Sequence, residues 1–390
     1  MKVNYDIRGE YPKEINEKFV NRLINALNSE KVILAYDSRD SSKRIADYVL
    51  NNSNKKILLL GNSTTPLASF SSFLYKTISV MITASHLGEN YNGVKISENG
   101  FAWEKEKYLD LLKKIEFQNQ GIREEKKEII DIRSDVIREY KEKWLKPSDY
   151  VFSVLNKEDN PGKKLLKELN LKEENSELIF KFDSDCDRLY AYYKGKELHK
   201  DLLGIVLAKY LTKKGDTVIF NVGSSVLVYE ELKERNLEMV RTGRNFVIEA
   251  MKGANFAFEY SGHYYFYDKE IDYYLDDGLK ALVELSKIGV KKLLDEYLKL
   301  EKKTNISYEY RVNGKIEKFE KLIEEIRKES FRVIDIDGFR FEFGDKNNIE
   351  GFFLIRQSNT EEKVSIRFEH KKKEEFEFLK ERVELFLKNL

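Results

Sequence analysis

At 390 residues the chain exceeds what one hydrophobic core supports, and 41% apolar residues are enough for the roughly two to four domains this length predicts. Basic and acidic residues nearly cancel, 69 against 68, so no global field draws the protein to nucleic acid or to an anionic membrane. A single Cys excludes an internal disulfide, and neither a leader-like start nor a run of ~18 apolar residues occurs, so a soluble cytoplasmic protein is expected. In chain order, Lys31–Tyr36 predicts a strand, residues 41–51 a helix, Lys56–Leu60 a second strand and Ile78–Ile82 a third that leads directly to Ser85. Strands joined through helices predict a parallel α/β sheet, with ligands beyond the carboxyl ends of its strands.

Further along, the charged stretch from Gly121 to Lys146 predicts one helix that stops before Pro147. Leu178–Phe182 reads as a strand, followed by a helix over 201–211, a strand over 217–222, a helix over 227–235, a strand over 255–258 and a helix over 277–287. Period-2 alternation in 307–312 and 338–343 predicts half-exposed antiparallel strands, with an apolar strand at 351–355 and a closing helix at 375–390. His199 and His370, set among lysines, read as surface residues. The expected architecture is α/β: three α/β mixed-sheet domains (1–133, 134–197, 198–300) and a C-terminal α+β domain (301–390).

Four polar clusters follow predicted strands. Ser85 and His86, with Lys95 close behind, offer a hydroxyl, an imidazole and a cation. Asp183, Asp185 and Asp187, spaced by two on an extended segment, would share one face, and three converging carboxylates call for a hard divalent cation, preferably Mg²⁺. An EF-hand is excluded, because its sixth and twelfth positions would be Arg188 and Lys194 instead of Gly and Glu. Glu259, Ser261 and His263 can bracket vicinal sugar hydroxyls. Arg356, Ser358, Asn359 and Thr360 have the composition of a phosphate nest. Two more cationic loops, Tyr5 to Arg8 and Arg241-Thr242-Gly243, complete the set. With an acidic metal cluster and several cationic loops, phosphoryl transfer to and from Ser85 is better supported than acyl transfer, and the order of the clusters points to a phosphorylated sugar. The absence of a G-x-S-x-G elbow argues against an α/β-hydrolase, and without a Walker A sequence or G-x-G-x-x-G nucleotide binding lacks support.

In this order, from Tyr5 to Glu369, the motifs resemble those of the α-D-phosphohexomutases, most nearly the phosphomannomutase/phosphoglucomutase group. The resemblance implies four domains around a central cleft and an enzyme that interconverts hexose 1- and 6-phosphates of glucose or mannose. It implies a phosphoserine at Ser85, a hexose 1,6-bisphosphate intermediate that also serves as activator, and Mg²⁺ held by Ser85, Asp183, Asp185 and Asp187. Arg8, His86 and Lys95 would assist proton transfer and offset charge. Arg188, Tyr5 and the Arg241-Thr242-Gly243 loop would contact substrate; Glu259, Ser261 and His263 would read the sugar, and Arg356, Ser358, Asn359 and Thr360 would grip the idle phosphate. A monomer or homodimer is expected. The alternatives are a phosphoglucosamine mutase and a catalytically silent sugar-phosphate-binding relative. The chain departs from the family pattern at Leu87-Gly88 (Asn-Pro), expected to alter the Ser85 loop, and at Ser184 (Gly), expected to stiffen a turn. Phe258, also in place of Gly, is expected to narrow the sugar site, and the second domain is short.

Overall fold

The computed structural model describes residues 1–117, 128–145, 152–169, 171, 176–358 and 362–390. Two compact units emerge, Met1–Glu197 with Lys269–Lys287, and Leu198–Asp268 with Ile288–Leu390. No described helix is long and apolar enough to cross a membrane.

The first unit is built on a large sheet whose strands run, in spatial order, Lys2–Val3, Ile7–Glu10, Tyr91–Glu98, Ile78–Ile82, Lys31–Tyr36, Lys56–Asn62 and Ile129–Asp131. Lys31–Tyr36 pairs in parallel with both neighbours, as its helix-linked connections predict. Tyr91–Glu98 instead runs antiparallel to Ile78–Ile82, because the chain turns straight back through residues 83–90 with no helix between. The sheet is therefore mixed, and Ser85 lies in that return. Gly93 is required in the returning strand, since a Cβ there would lie 2.3 Å from the Ile7 carbonyl oxygen. Helix Thr65–Leu74 starts where the Thr64 hydroxyl accepts from Leu67 N–H and Pro66 presets the first turn.

The single helix expected over 121–146 is not what forms. Residues 118–127 and 146–151 lie outside the described set; between them Ile129–Asp131 adds a parallel strand beside Lys56–Asn62, and Arg133–Trp144 is helical. Backbone pairing at the sheet edge outweighs helix propensity there. A smaller sheet orders Lys196–Glu197, Leu189–Tyr193, Leu178–Phe182 and Ser153–Val154. Residues 269–287 return to this unit: the Tyr273 ring lies 5.0–5.8 Å from those of Phe70, Phe73 and Trp144, and Tyr140 Oη donates to Asp277 Oδ2.

In the second unit, strands Asn236–Val240, Thr217–Asn221 and Phe256–Phe258 are parallel, and Tyr264–Asp268 adds antiparallel to the last. The C-terminal sheet is antiparallel throughout, ordered Asn305–Ile306, Lys363–His370, Ile349–Gln357, Phe339–Gly344 and Arg332–Ile334. Two buried arginines tie the C-terminal sheet to its neighbour elements: Arg367 Nη2 reaches both oxygens of Asp201, in helix Lys200–Leu211, at 3.1 and 2.9 Å, and Arg340 Nη1 donates to the carbonyls of Val222 and Ser224, just past strand Thr217–Asn221. His370, expected at the surface, is buried at the end of a core strand, and His199 stacks on Tyr308. Phe258 points into the core over Gly204, where a Cβ would lie 2.3 Å from its ring, so the replacement fills the core and does not narrow the sugar loop.

Candidate active site

Ser85 is buried and left-handed, with φ +53°. For a residue with a Cβ this conformation is strained, and it persists only where neighbours over-determine it. Here both of its peptide groups are held. Ser85 N–H donates to Thr83 Oγ1 (2.8 Å), which itself donates to Asp37 Oδ2 (2.7 Å), and the Ser85 carbonyl accepts from Arg39 Nη2 (2.6 Å). The same guanidinium donates to the carbonyls of Leu87 (2.8 Å) and Gly88 (3.0 Å), while its Nε meets Asp37. Leu87-Gly88 is thus tied down by a buried arginine.

Ser85 faces the acidic cluster, its Oγ donating to Asp183 Oδ2 at 3.0 Å. Residues 183–187 form a turn instead of the extended segment the spacing suggested, and convergence comes from Cys186 at φ +61°. Ser184, expected to stiffen the turn in place of Gly, needs no left-handed backbone. The three carboxylates offer ligand atoms within 4.8 Å of one another. Lys95 Nζ lies 2.6 Å from both Asp185 and Asp187, and Thr65 Oγ1 donates to Asp185 Oδ2. Burial works against the Lys95 ammonium, but the two carboxylates prevail and hold its pKa above the usual value. Burial, then repulsion from Asp187 and Asp185, pushes the Asp183 carboxyl well above its usual range. Asp185 Oδ1 is buried and has no hydrogen-bond partner among the described residues. An acceptor-only oxygen in that position, within an oxygen-rich trio, fits a hard divalent cation.

Arg8 sits beside this cluster, paired with Asp6 at 2.6 Å and donating to the Ala84 carbonyl at 3.2 Å. Burial opposes its charge, yet Asp6 outweighs that and raises its pKa. The Tyr5 phenol contributes in the same sense to Arg8 and to Arg188. Arg188 Nη1 lies 2.7 Å from His86 Nδ1. A guanidinium only donates, so His86 accepts through Nδ1 and carries its proton on Nε2.

In the second unit, Glu259 is buried and surrounded by donors: Tyr265 Oη at 2.8 Å, Ser261 Oγ at 3.1 Å and Asn221 Nδ2 at 3.4 Å. His263 stacks on the Tyr265 ring, and Gly262 turns the loop at φ +97°. Arg356 Nε donates to Asp337 Oδ2 (2.8 Å), which also accepts the Thr242 N–H (3.1 Å). That carboxylate joins Arg356 to the loop of Arg241, Thr242 and Gly243, in which Gly243 has φ +135° and Arg241 lies over the Phe246 ring. Ser358 N–H donates to the Lys363 carbonyl, and Asn359 and Thr360 lie outside the described residues.

Several structural partners escaped the sequence reading. Asp37, Arg39 and Thr65 grip the first site, and Asn221, Tyr265 and Asp337 the second loops. The signal for the first pair was available: Asp37-Ser38-Arg39 follows the strand Lys31–Tyr36 at its carboxyl end, where parallel sheets carry their sites. Asp337 carried no such cue.

Comparison with known proteins bears on the whole chain. Residues 2–121, 199–303 and 304–385 match the family models for phosphoglucomutase/phosphomannomutase α/β/α domain I, α/β/α domain III and the C-terminal domain. The chain is 31% identical to a phosphoglucomutase of Neisseria gonorrhoeae, across 94% of this chain and 92% of that one. It is 27% identical to a phosphomannomutase of Methanocaldococcus jannaschii, across 99% and 96%. A solved phosphoglucomutase/phosphomannomutase family protein of Burkholderia thailandensis matches with a TM-score of 0.76 over 99% and 96% of the chains; at 22% identity this speaks to the fold.

Proposed function

The chain belongs to the phosphoglucomutase/phosphomannomutase family of the α-D-phosphohexomutase superfamily and is an intramolecular phosphotransferase; from that premise we propose that it interconverts the 1- and 6-phosphates of glucose or mannose. Ser85 carries the phosphoryl group between two half-reactions, and the four ranges drawn from the sequence act as four domains. In the first half-reaction a sugar hydroxyl attacks the phosphorus of phosphoserine, the bond to Ser85 Oγ breaks, and a hexose 1,6-bisphosphate results. After the intermediate reverses its orientation, Ser85 Oγ takes the other phosphoryl group and the isomeric monophosphate leaves. The bisphosphate also restores phosphate to any Ser85 that has lost it.

The residues divide the labour. Asp183 accepts the Ser85 hydroxyl hydrogen bond and is suited to take its proton when Ser85 attacks. The same hydrogen bond gives the proton a path back to Oγ when Ser85 is the leaving group. Lys95 and Arg8 supply positive charge, and His86, whose Nδ1 accepts from Arg188, keeps an Nε2–H to donate. Asp183, Asp185 and Asp187, with a phosphoserine oxygen, would hold Mg²⁺, which when bound supplies charge against the transferring phosphoryl group. Glu259, Ser261 and His263 read the sugar hydroxyls. Arg188, Tyr5 and the Arg241–Gly243 loop guide the substrate, while Arg356, Ser358, Asn359 and Thr360 hold the phosphate that does not react.

The observation that carries this reading is the bond from Ser85 Oγ to a carboxylate of a three-aspartate cluster. The test supplies Mg²⁺, a trace of glucose 1,6-bisphosphate and, in turn, glucose, mannose and glucosamine phosphates, and follows the phosphorus NMR spectrum. Exchange of 1- and 6-phosphate signals is expected for glucose or mannose, with a phosphoserine mass increment on the Ser85 peptide and loss of both in Ser85→Ala. Turnover of the amino sugar alone would make the protein a phosphoglucosamine mutase, and no turnover of any sugar defeats the proposal.

A further inference from the structure

The Ser85 carbonyl has two donors, from different parts of the chain. Arg39 Nη2 approaches at 2.6 Å, and Ser184 Oγ, from between the metal-type aspartates Asp183 and Asp185, also donates to it. Arg39 Nη2 further reaches Ser184 Oγ at 3.3 Å, so carbonyl, guanidinium and hydroxyl close a ring of hydrogen bonds. Arg39 is buried and anchored at its other side by Asp37, whose Oδ2 also holds Thr83 and, through it, the Ser85 N–H. Both peptide groups of a residue in a disfavoured conformation are therefore held, one of them by the acidic turn itself.

We propose that Ser184 and Arg39 are positioning residues that clasp the Ser85 carbonyl and lock the nucleophile loop to the acidic turn. The proposal rests on the phosphoserine reading above and deepens it. The Ser184 hydroxyl is committed to a backbone carbonyl, so its work is alignment and not cation binding. Without the clasp, Ser85 relaxes from φ +53° towards ordinary backbone, and Oγ swings away from Asp183. Substrate loops in the second unit are untouched, so the effect falls on kcat while KM stays. Removing the hydroxyl takes away one interloop hydrogen bond, for which about a tenfold loss of alignment is expected.

The test compares Ser184→Ala, Ser184→Thr and Arg39→Lys in the full chain, first by amide hydrogen exchange without ligands and then by mutase kinetics. Ser184→Ala is expected to speed exchange across residues 84–88 about tenfold, with helix Glu17–Ala26 unchanged, and to lower kcat about tenfold with KM within about twofold. Ser184→Thr keeps the hydroxyl and restores both. Added to Arg39→Lys, Ser184→Ala produces less than its single effect, because opening either side breaks the same ring of hydrogen bonds. Exchange and kcat like wild type in Ser184→Ala, no rescue by Thr, or full additivity with Arg39→Lys would each overturn the clasp. If the wild-type protein turns over no hexose phosphate, the functional reading fails, and the exchange contrast still decides the clasp.

Discussion

The acidic turn around Ser85 and the paired loops around Glu259 solve opposite electrostatic problems. At the first, three carboxylates crowd together, one has its pKa pushed well up, and one buried oxygen of Asp185 has no partner among the described residues. At the second, Glu259 is met by three donors and Arg356 by Asp337, so each buried charge is compensated. The difference matches what each half is asked to do. On the function proposed above, a centre that would receive a cation and a mobile phosphoryl group keeps charge in reserve, whereas one that would recognise an unchanging shape is oriented in advance.

The largest break in this comparison comes from relieving the crowding. Asp185→Asn removes one charge from the proposed cation-binding trio, and several kcal/mol of transition-state stabilisation goes with it, so kcat is expected to fall roughly a hundredfold or more. Chelation of divalent cations should do the same to wild type, reversibly on adding Mg²⁺, while a titration of Mg²⁺ into Asp185→Asn shows weakened binding. Asp337→Asn attacks the compensated half. It frees Arg356 from its ion pair and loosens the Thr242 N–H, and about a tenfold rise in KM with little change in kcat is expected from steady-state kinetics. Phosphorylation of Ser85 by glucose 1,6-bisphosphate, read by mass, should be less affected than in Asp185→Asn.

The smallest effect concerns stability. Burial pushes the Asp277 carboxyl up to about 7, although Tyr140 and the Lys280 and Leu279 N–H groups favour the carboxylate. The folded protein thus binds this proton more tightly than the unfolded chain. Stability from this group is full at acid pH and declines as pH rises from the unfolded value near 3.8 through about 7. Asp277→Asn, neutral throughout, should flatten that decline, visible as a shallower fall of Tm by a few degrees between pH 5 and 8 in thermal melts (roughly 2–4 °C per kcal/mol).

The motifs legible in the sequence are those whose chemistry is concentrated in a few adjacent residues. Ser85-His86 and Asp183 to Asp187 stand out because a nucleophile or a ligand trio is written locally. Arg39 was passed over because its targets, Ser85 and Ser184, lie 46 and 145 residues away, and a lone arginine after a strand looks like any other. Tyr91–Glu98 was missed as a strand because its Asn-Gly-Val-Lys run lacks a clean alternation; its place is set by Gly93 passing close to Ile7. Ile129–Asp131 hid inside a charged stretch, where pairing with Lys56–Asn62 decides the conformation. Cys186, not the residue that replaces the family glycine, carries the left-handed backbone of the acidic turn, a choice that only the folded turn reveals.

The return of residues 269–287 to the first unit has a practical bearing on dissecting the protein. A fragment ending at Glu197 would lack the Tyr273 ring that covers Phe70, Phe73 and Trp144, and the Asp277 carboxyl that receives the Tyr140 hydroxyl. It would expose an aromatic patch and leave a buried phenol unpaired, a recipe for aggregation on its own. A cut after Glu197 yields no self-sufficient amino-terminal half; a workable separation there would graft the segment 269–287 back onto that piece.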